Sequence, residues 1–188
     1  MSTAVPAGAV EAALDHAERM PEATRERHLI WQDPLASAAQ ATGLSGREYL
    51  EKIGRGEIPP PPIAVLLRMQ PVELGEGRAV FEGAPGEEHY NPIGQIHGGY
   101  AATILDSVLG CAVHTTLPSG AAYSTLSLEV KYARPISRDT GIVRAEAEVL
   151  HRGRRQAIAE ARLTAAETGK VLASATSTLL IMGDGPGG

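Results

Sequence analysis

The sequence predicts an α+β fold in which an antiparallel sheet wraps one long, central apolar helix, with an N-terminal helical extension ahead of it. Three observations carry this expectation: an apolar stretch from Tyr100 to Leu117 that holds a single acid, alternating segments on both sides of it, and a proline run that divides the chain near residue 60. A helix that is apolar almost all round must be buried on most sides, and a curved antiparallel sheet is the available way to bury it.

Ahead of residue 60, VEAALDHAER and SGREYLEKIGRG carry helical spacing, and Ser45 followed by Glu48 forms a capping-box signal for the second of them. Pro59 to Pro62 cannot lie inside a helix and read as a stiff extended connector, so the domains are expected as 1–60 for the extension and connector, 61–182 for the sheet-and-helix domain, and 183–188 for a flexible tail. Strands are expected over 64–74 and 77–84, joined by a turn at Gly75-Glu76-Gly77. After the apolar helix, four more are expected over 122–133, 141–151, 155–166 and 170–181. In the first of these, Leu126, Leu128, Val130 and Tyr132 should face the core, with Thr125, Ser127, Glu129 and Lys131 on the other side. Val143, Ala145, Ala147 and Val149 alternate with charged residues in the next.

Composition narrows the function classes. Of 188 residues, 43% are hydrophobic and 21% charged, as in ordinary globular proteins, but one Trp, five Tyr and one Phe leave the core to small aliphatic side chains. The formal charge of -5 argues against a general nucleic-acid binder. A lone cysteine, Cys111, excludes an internal disulfide and a cysteine-based metal site, no cofactor is called for, and the early Glu11 and Asp15 do not suit a secretory signal. The cytoplasm is the expected compartment. The stretch around Asp106, Ser107 and His114 suits a helix buried in protein better than one spanning a membrane.

The candidate chemistry lies in NPIGQIHGGYAATILD, residues 91–106. Gly98 and Gly99 open the apolar helix, leaving N–H groups and the positive dipole end where no side chain blocks an approaching carbonyl. Asp106, the only acid in that helix, costs several kcal/mol there unless it is paired or functional. Eight residues separate Gly98 from Asp106, or about 12 Å of helix, so one carbonyl cannot meet both within a single chain. If both serve one reaction, a homodimer with antiparallel helices across a twofold axis is the simplest solution.

The string NPIGQIHGGYAATILDSVLGCAVHTTLP, followed by YSTLSLEVKYARP, resembles the PaaI-like, phenylacetate-degradation-type acyl-CoA thioesterases of the hotdog superfamily, over about residues 60–182. The resemblance implies the hotdog fold, hydrolysis of aliphatic or aryl acyl-CoA, and sites shared across subunits of a homodimer or homotetramer. By position it implies Asp106 as the catalytic carboxylate, as base or nucleophile, and the Gly98 amide as polariser of the carbonyl. Asn91 would orient the carbonyl or the attacking water, and Thr125 would supply the hydroxyl of the strand after the helix. His97 is expected to shape the loop or touch the thioester region. His114, at the far helix end, reads as a cation suited to the dipole. Arg152, Arg154 and Arg155 form a basic strand turn suited to nucleotide phosphates. The alternative is a noncatalytic acyl-CoA-binding hotdog module. Hotdog hydratases place their acid and histidine in different motifs.

Overall fold

In the computed structural model, residues 24–183 are described. The chain divides into a unit ending at Ile30 and one from Trp31 onward, and all elements below belong to the second. The expected helix VEAALDHAER and the tail beyond Gly183 lie outside the described residues.

Three short helices lead in: α1 (Pro34–Ala39), α2 (Gly46–Gly54) and α3 (Pro62–Leu67). Ser45 caps α2 in a reciprocal box, its hydroxyl accepting from Glu48 N while the Glu48 carboxylate accepts from Ser45 N. Gly46 is required here by close approach, because a Cβ would lie 2.0 Å from the backbone oxygen of His114.

The strand expected over 64–74 is shorter, and α3 takes its first part. Pro61 is extended at φ -65, ψ 149, and Pro62 occupies the first turn, where its missing N–H has no intrahelical partner to lose. IAVLL is a continuous apolar run without alternation, so its period does not separate helix from strand. Arg68 ends α3 in the left-handed region at φ 51, and β1 (Met69–Gly75) begins directly after it.

The remaining elements are β2 (Arg78–Gly83), α4 (Gly98–His114), β3 (Ala122–Tyr132), β4 (Val143–Arg152), β5 (Gln156–Ala165) and β6 (Val171–Met182). They form a six-stranded antiparallel sheet in the order β1-β2-β4-β5-β6-β3. This strand order leaves β1 and β3 as the two edges. β1 carries Pro71 at a register irregularity, the position in an edge strand where a missing N–H is tolerated.

The sheet curls around α4. Ile104, Leu105, Val108 and Leu109 on the helix are fully buried against Ala145, Ala147, Ala157 and Ala159 of the strands. Methyl side chains let the helix lie close to the sheet, and Phe81 is the single phenylalanine in that core.

The alternation expected for β3 breaks at a bulge. Thr125 pairs with Leu179 and Ser127 with Thr178, so Leu126 is an extra residue in the ladder. Tyr123 and Thr125 therefore face the helix on one side of the bulge, and Leu128 and Val130 face it on the other. Leu126 and Tyr132, expected in the core, are 52% and 57% exposed.

Candidate active site

One stripe of α4, toward the first half of the edge strand β3, is less deeply buried than the rest. Thr103, Asp106, Ser107, Cys111 and His114 recur along it at helical spacing, and all are half-buried rather than sealed. Asp106 is held from β3, where Thr125 donates its hydroxyl to Asp106 Oδ1 at 3.0 Å. This contact depends on the bulge at Leu126, because strict alternation would turn Thr125 outward. The sequence thus names the pair, and the irregularity in the ladder brings it together.

One helical turn further, Tyr123 lies over Gly110, where a Cβ would come within 2.5 Å of the ring. Its hydroxyl lies near the Cys111 thiol. Burial first, and the nearby Asp106 charge last, push the Cys111 thiol up to about 12, so it is protonated at neutral pH. Burial likewise pushes Tyr123 well above its ordinary value, with the neighbouring Cys111 and Asp106 adding to it. His114 corrects its expected role: it sits between the rings of Tyr49 and Tyr123, at 6.1 and 5.4 Å, and burial pushes its pKa down. Its environment favours neutral imidazole over a cation at the helix end.

The start of α4 is built separately. His97 is the N-cap, and its Nδ1 accepts from Gly99 N at 2.8 Å. The Gly99 amide is thereby used in the cap, and the Gly99 carbonyl accepts from Thr103 Oγ1. Gly98 differs. Its N–H has no acceptor among the described residues, and Gly98 borders a small cavity of 240 Å³ together with His97, Tyr132 and Pro135. Tyr132 donates its hydroxyl to Gly98 O at 3.1 Å and fixes the peptide that follows this amide. The sequence reading missed Tyr132 as a site residue. The available signal was a phenol at a strand end, whose polar tip requires a partner.

Asn91 sits in the preceding loop. Its Oδ1 accepts from Ile93 N at 3.1 Å and Gln95 N at 3.0 Å, while its own N–H donates to Gln95 O. The side-chain oxygen therefore orders the loop, and the amide nitrogen is the end left to donate elsewhere.

Arg152, Arg154 and Arg155 lie at the β4–β5 turn and border a broad cleft of 1350 Å³ with Thr116, Leu117 and Met182. This cleft is at the C-terminal end of α4, about 12 Å of helix beyond Asp106. Within one chain the expected residues thus form three groups: the Gly98 end, the Asp106–Thr125 pair at mid-helix, and the arginine turn.

A long apolar helix clasped by one antiparallel sheet, with an acid on its less buried stripe and a free amide at its start, defines a hotdog-fold protein. A model of the Thioesterase superfamily matches residues 93–172. Human acyl-coenzyme A thioesterase 13 is 32% identical over 114 residues, spanning 61% of this chain and 80% of that protein. A phenylacetic acid degradation-related protein from Ralstonia eutropha is 31% identical, with a TM-score of 0.64 over 70% of this chain and 98% of the other. The PaaI protein of the E. coli phenylacetic acid degradation operon shares the fold at 20% identity, with a TM-score of 0.62 over 75% of this chain and 97% of that one. The chain belongs to the thioesterase superfamily, as a PaaI-like thioester hydrolase. Among the described residues no helix is long and apolar enough to cross a membrane.

Proposed function

We propose that this protein hydrolyses acyl-CoA thioesters to a free acid and CoA, with Asp106 as the base. The observation that carries this reading is the Asp106 carboxylate, oriented by Thr125 on the less buried stripe of an otherwise apolar helix. Asp106 would take a proton from water as the water oxygen attacks the thioester carbon. The C–S bond then breaks, the thiolate leaves and is protonated, and the acid remains. Direct attack by the carboxylate, giving an anhydride, is the other route open to the same group.

The developing oxyanion needs a donor that is not already engaged, and the Gly98 N–H is such a donor. Because about 12 Å of helix separates it from Asp106 of the same chain, the working site would combine Gly98 of one subunit with Asp106 of the partner subunit. The free outer edge of β3 supports this assembly, since an eleven-residue edge strand is a template for pairing with a second copy. The Asn91 amide nitrogen would donate to the carbonyl or the water. His97 would act on the reaction by holding the turn. Gly99 would contribute close backbone approach, and the three arginines would grip the nucleotide phosphates of CoA. The catalytic domain is read as residues 61–182 and the site of action as the cytoplasm.

The test is thiol release by purified protein from a panel of aliphatic and aryl acyl-CoAs. Turnover that scales with enzyme is expected. Tight acyl-CoA binding without turnover would favour a binding module instead.

A further inference from the structure

A cavity of 700 Å³ lies between α4, the β1–β2 edge and the α2–α3 arm. Its walls are mostly apolar: Leu50 and Ile53 come from α2, Ile63 and Val65 from α3, Met69 from β1 and Ile142 from the segment before β4, with Arg68, Gln70 and Glu82 also bordering it. The size falls within the range of small-molecule sites, roughly 300 to 1,000 Å³.

Its position connects it to the reacting groups by two independent routes. Ser107, the residue after Asp106 on α4, borders the cavity, as does Cys111 one turn on. Tyr123 borders it as well and shares the helix-facing side of β3 with Thr125, whose hydroxyl holds Asp106. The cavity therefore reaches the helix residue next to Asp106 and extends beneath the arm.

Resting on the reading of Asp106 as the hydrolytic base, we infer that this cavity receives the acyl group, and that the α2–α3 arm sets its length. The occupant is an aliphatic chain longer than a few carbons. Phe81 and Tyr123 also border the cavity, but the arm side that limits its length is lined by Leu50, Ile53, Ile63 and Val65 with Met69 as an adaptable filler, which suits an aliphatic chain. The arm belongs to residues 46–67, outside the 93–172 matched to the superfamily, so chain-length selection would rest on residues beyond that match.

Ile53 and Ile63 are the positions to fill, because Ile53 is half-buried and Ile63 is 42% exposed, so an indole fits without displacing core. Each methylene that no longer finds its wall loses about fourfold in binding. Ile53→Trp and Ile63→Trp should each lower the ratio of kcat/KM for dodecanoyl-CoA to that for butanoyl-CoA by at least about tenfold. Ile53→Ala should move the preference toward longer chains. Circular dichroism and a thermal melt identify any variant that fails to fold, and the remaining ones decide the question. Unchanged ratios in folded tryptophan variants would overturn the inference, as would a change in solution mass without a change in ratio. Wild-type protein inert toward every acyl-CoA would instead sink the hydrolytic reading. Dodecanoate binding by calorimetry then judges the cavity alone: affinity lost in Ile53→Trp supports it, and affinity absent from wild type or equal in both overturns it.

Discussion

Replacing Gly98 by proline removes a single N–H and little else. Gly98 is the first helical residue of α4, the position where proline is best tolerated, since its fixed φ matches the helix and the missing donor has no intrahelical acceptor. The residue before a proline must be extended, and His97 already is, at φ -59 and ψ 138. No hydrogen bond within the described residues is lost, because this amide makes none. The Tyr132 bond goes to the Gly98 carbonyl, which proline keeps. If the amide binds the oxyanion, its removal should lower kcat by about 100-fold, the lower end of the range for one oxyanion donor, because Gly98 is exposed in the single chain. Gly98→Ala is the control. Its Cβ would lie 3.4 Å from the Tyr132 ring, an ordinary contact, and the N–H remains. Initial rates of thiol release at saturating acyl-CoA, together with thermal melts, separate the chemical effect from unfolding. A folded proline variant within threefold of the alanine variant would refute the role of this amide.

Three further outcomes are expected. Subunits carrying Asp106→Asn mixed with subunits carrying Gly98→Pro should recover about a quarter of wild-type activity, because half of randomly exchanged dimers are mixed and each holds one intact site. No recovery under exchange verified by mass spectrometry would argue against a shared site. Neutralising Arg154 and Arg155 together with glutamine should raise KM for acyl-CoA by about fivefold, leave kcat near wild type, spare a truncated thioester lacking the nucleotide, and flatten the rise of KM with salt. Equal salt slopes in mutant and wild type would mark the turn as solvated surface. His114, whose folded pKa is depressed below 6.5 by burial, binds fewer protons folded than unfolded. Its contribution to stability is complete above pH 6.5 and is lost as pH falls from there through the lower folded value. Urea titrations between pH 7.5 and 5 should therefore show a loss that His114→Gln reduces, and identical pH slopes in the two proteins would contradict this.

What could be read in the sequence was what local rules determine. The α2 capping box depends on two side chains three residues apart, and the apolar run with one acid identifies α4 whatever surrounds it. The four strands from β3 to β6 followed from alternation and turns. Features that depend on partners distant in sequence were not legible. Strict alternation put Thr125 on the outer face, and only its register against β6 reveals the bulge that turns it toward Asp106. The PIAVLL segment has the composition of a strand, yet its leading proline and the left-handed Arg68 make it a short helix. His114 looked like a helix-end cation because nothing in the sequence shows Tyr49 and Tyr123 closing over it. Tyr132 likewise acquires its partner, Gly98, from the other end of a 34-residue separation.

The central claim is that the Asp106 carboxylate drives thioester hydrolysis, and Asp106→Asn tests it most directly. The amide keeps the volume and can still pair with Thr125, so fold, melting temperature and acyl-CoA affinity should stay near wild type. The base is lost, and a positioned general base contributes roughly 10² to 10⁴ in rate. Single-turnover measurement with saturating enzyme isolates that step from binding and product release. A fall of at least about 100-fold in the single-turnover rate, with acyl-CoA affinity retained, is the predicted result. Hydrolysis within threefold of wild type would remove Asp106 from the mechanism.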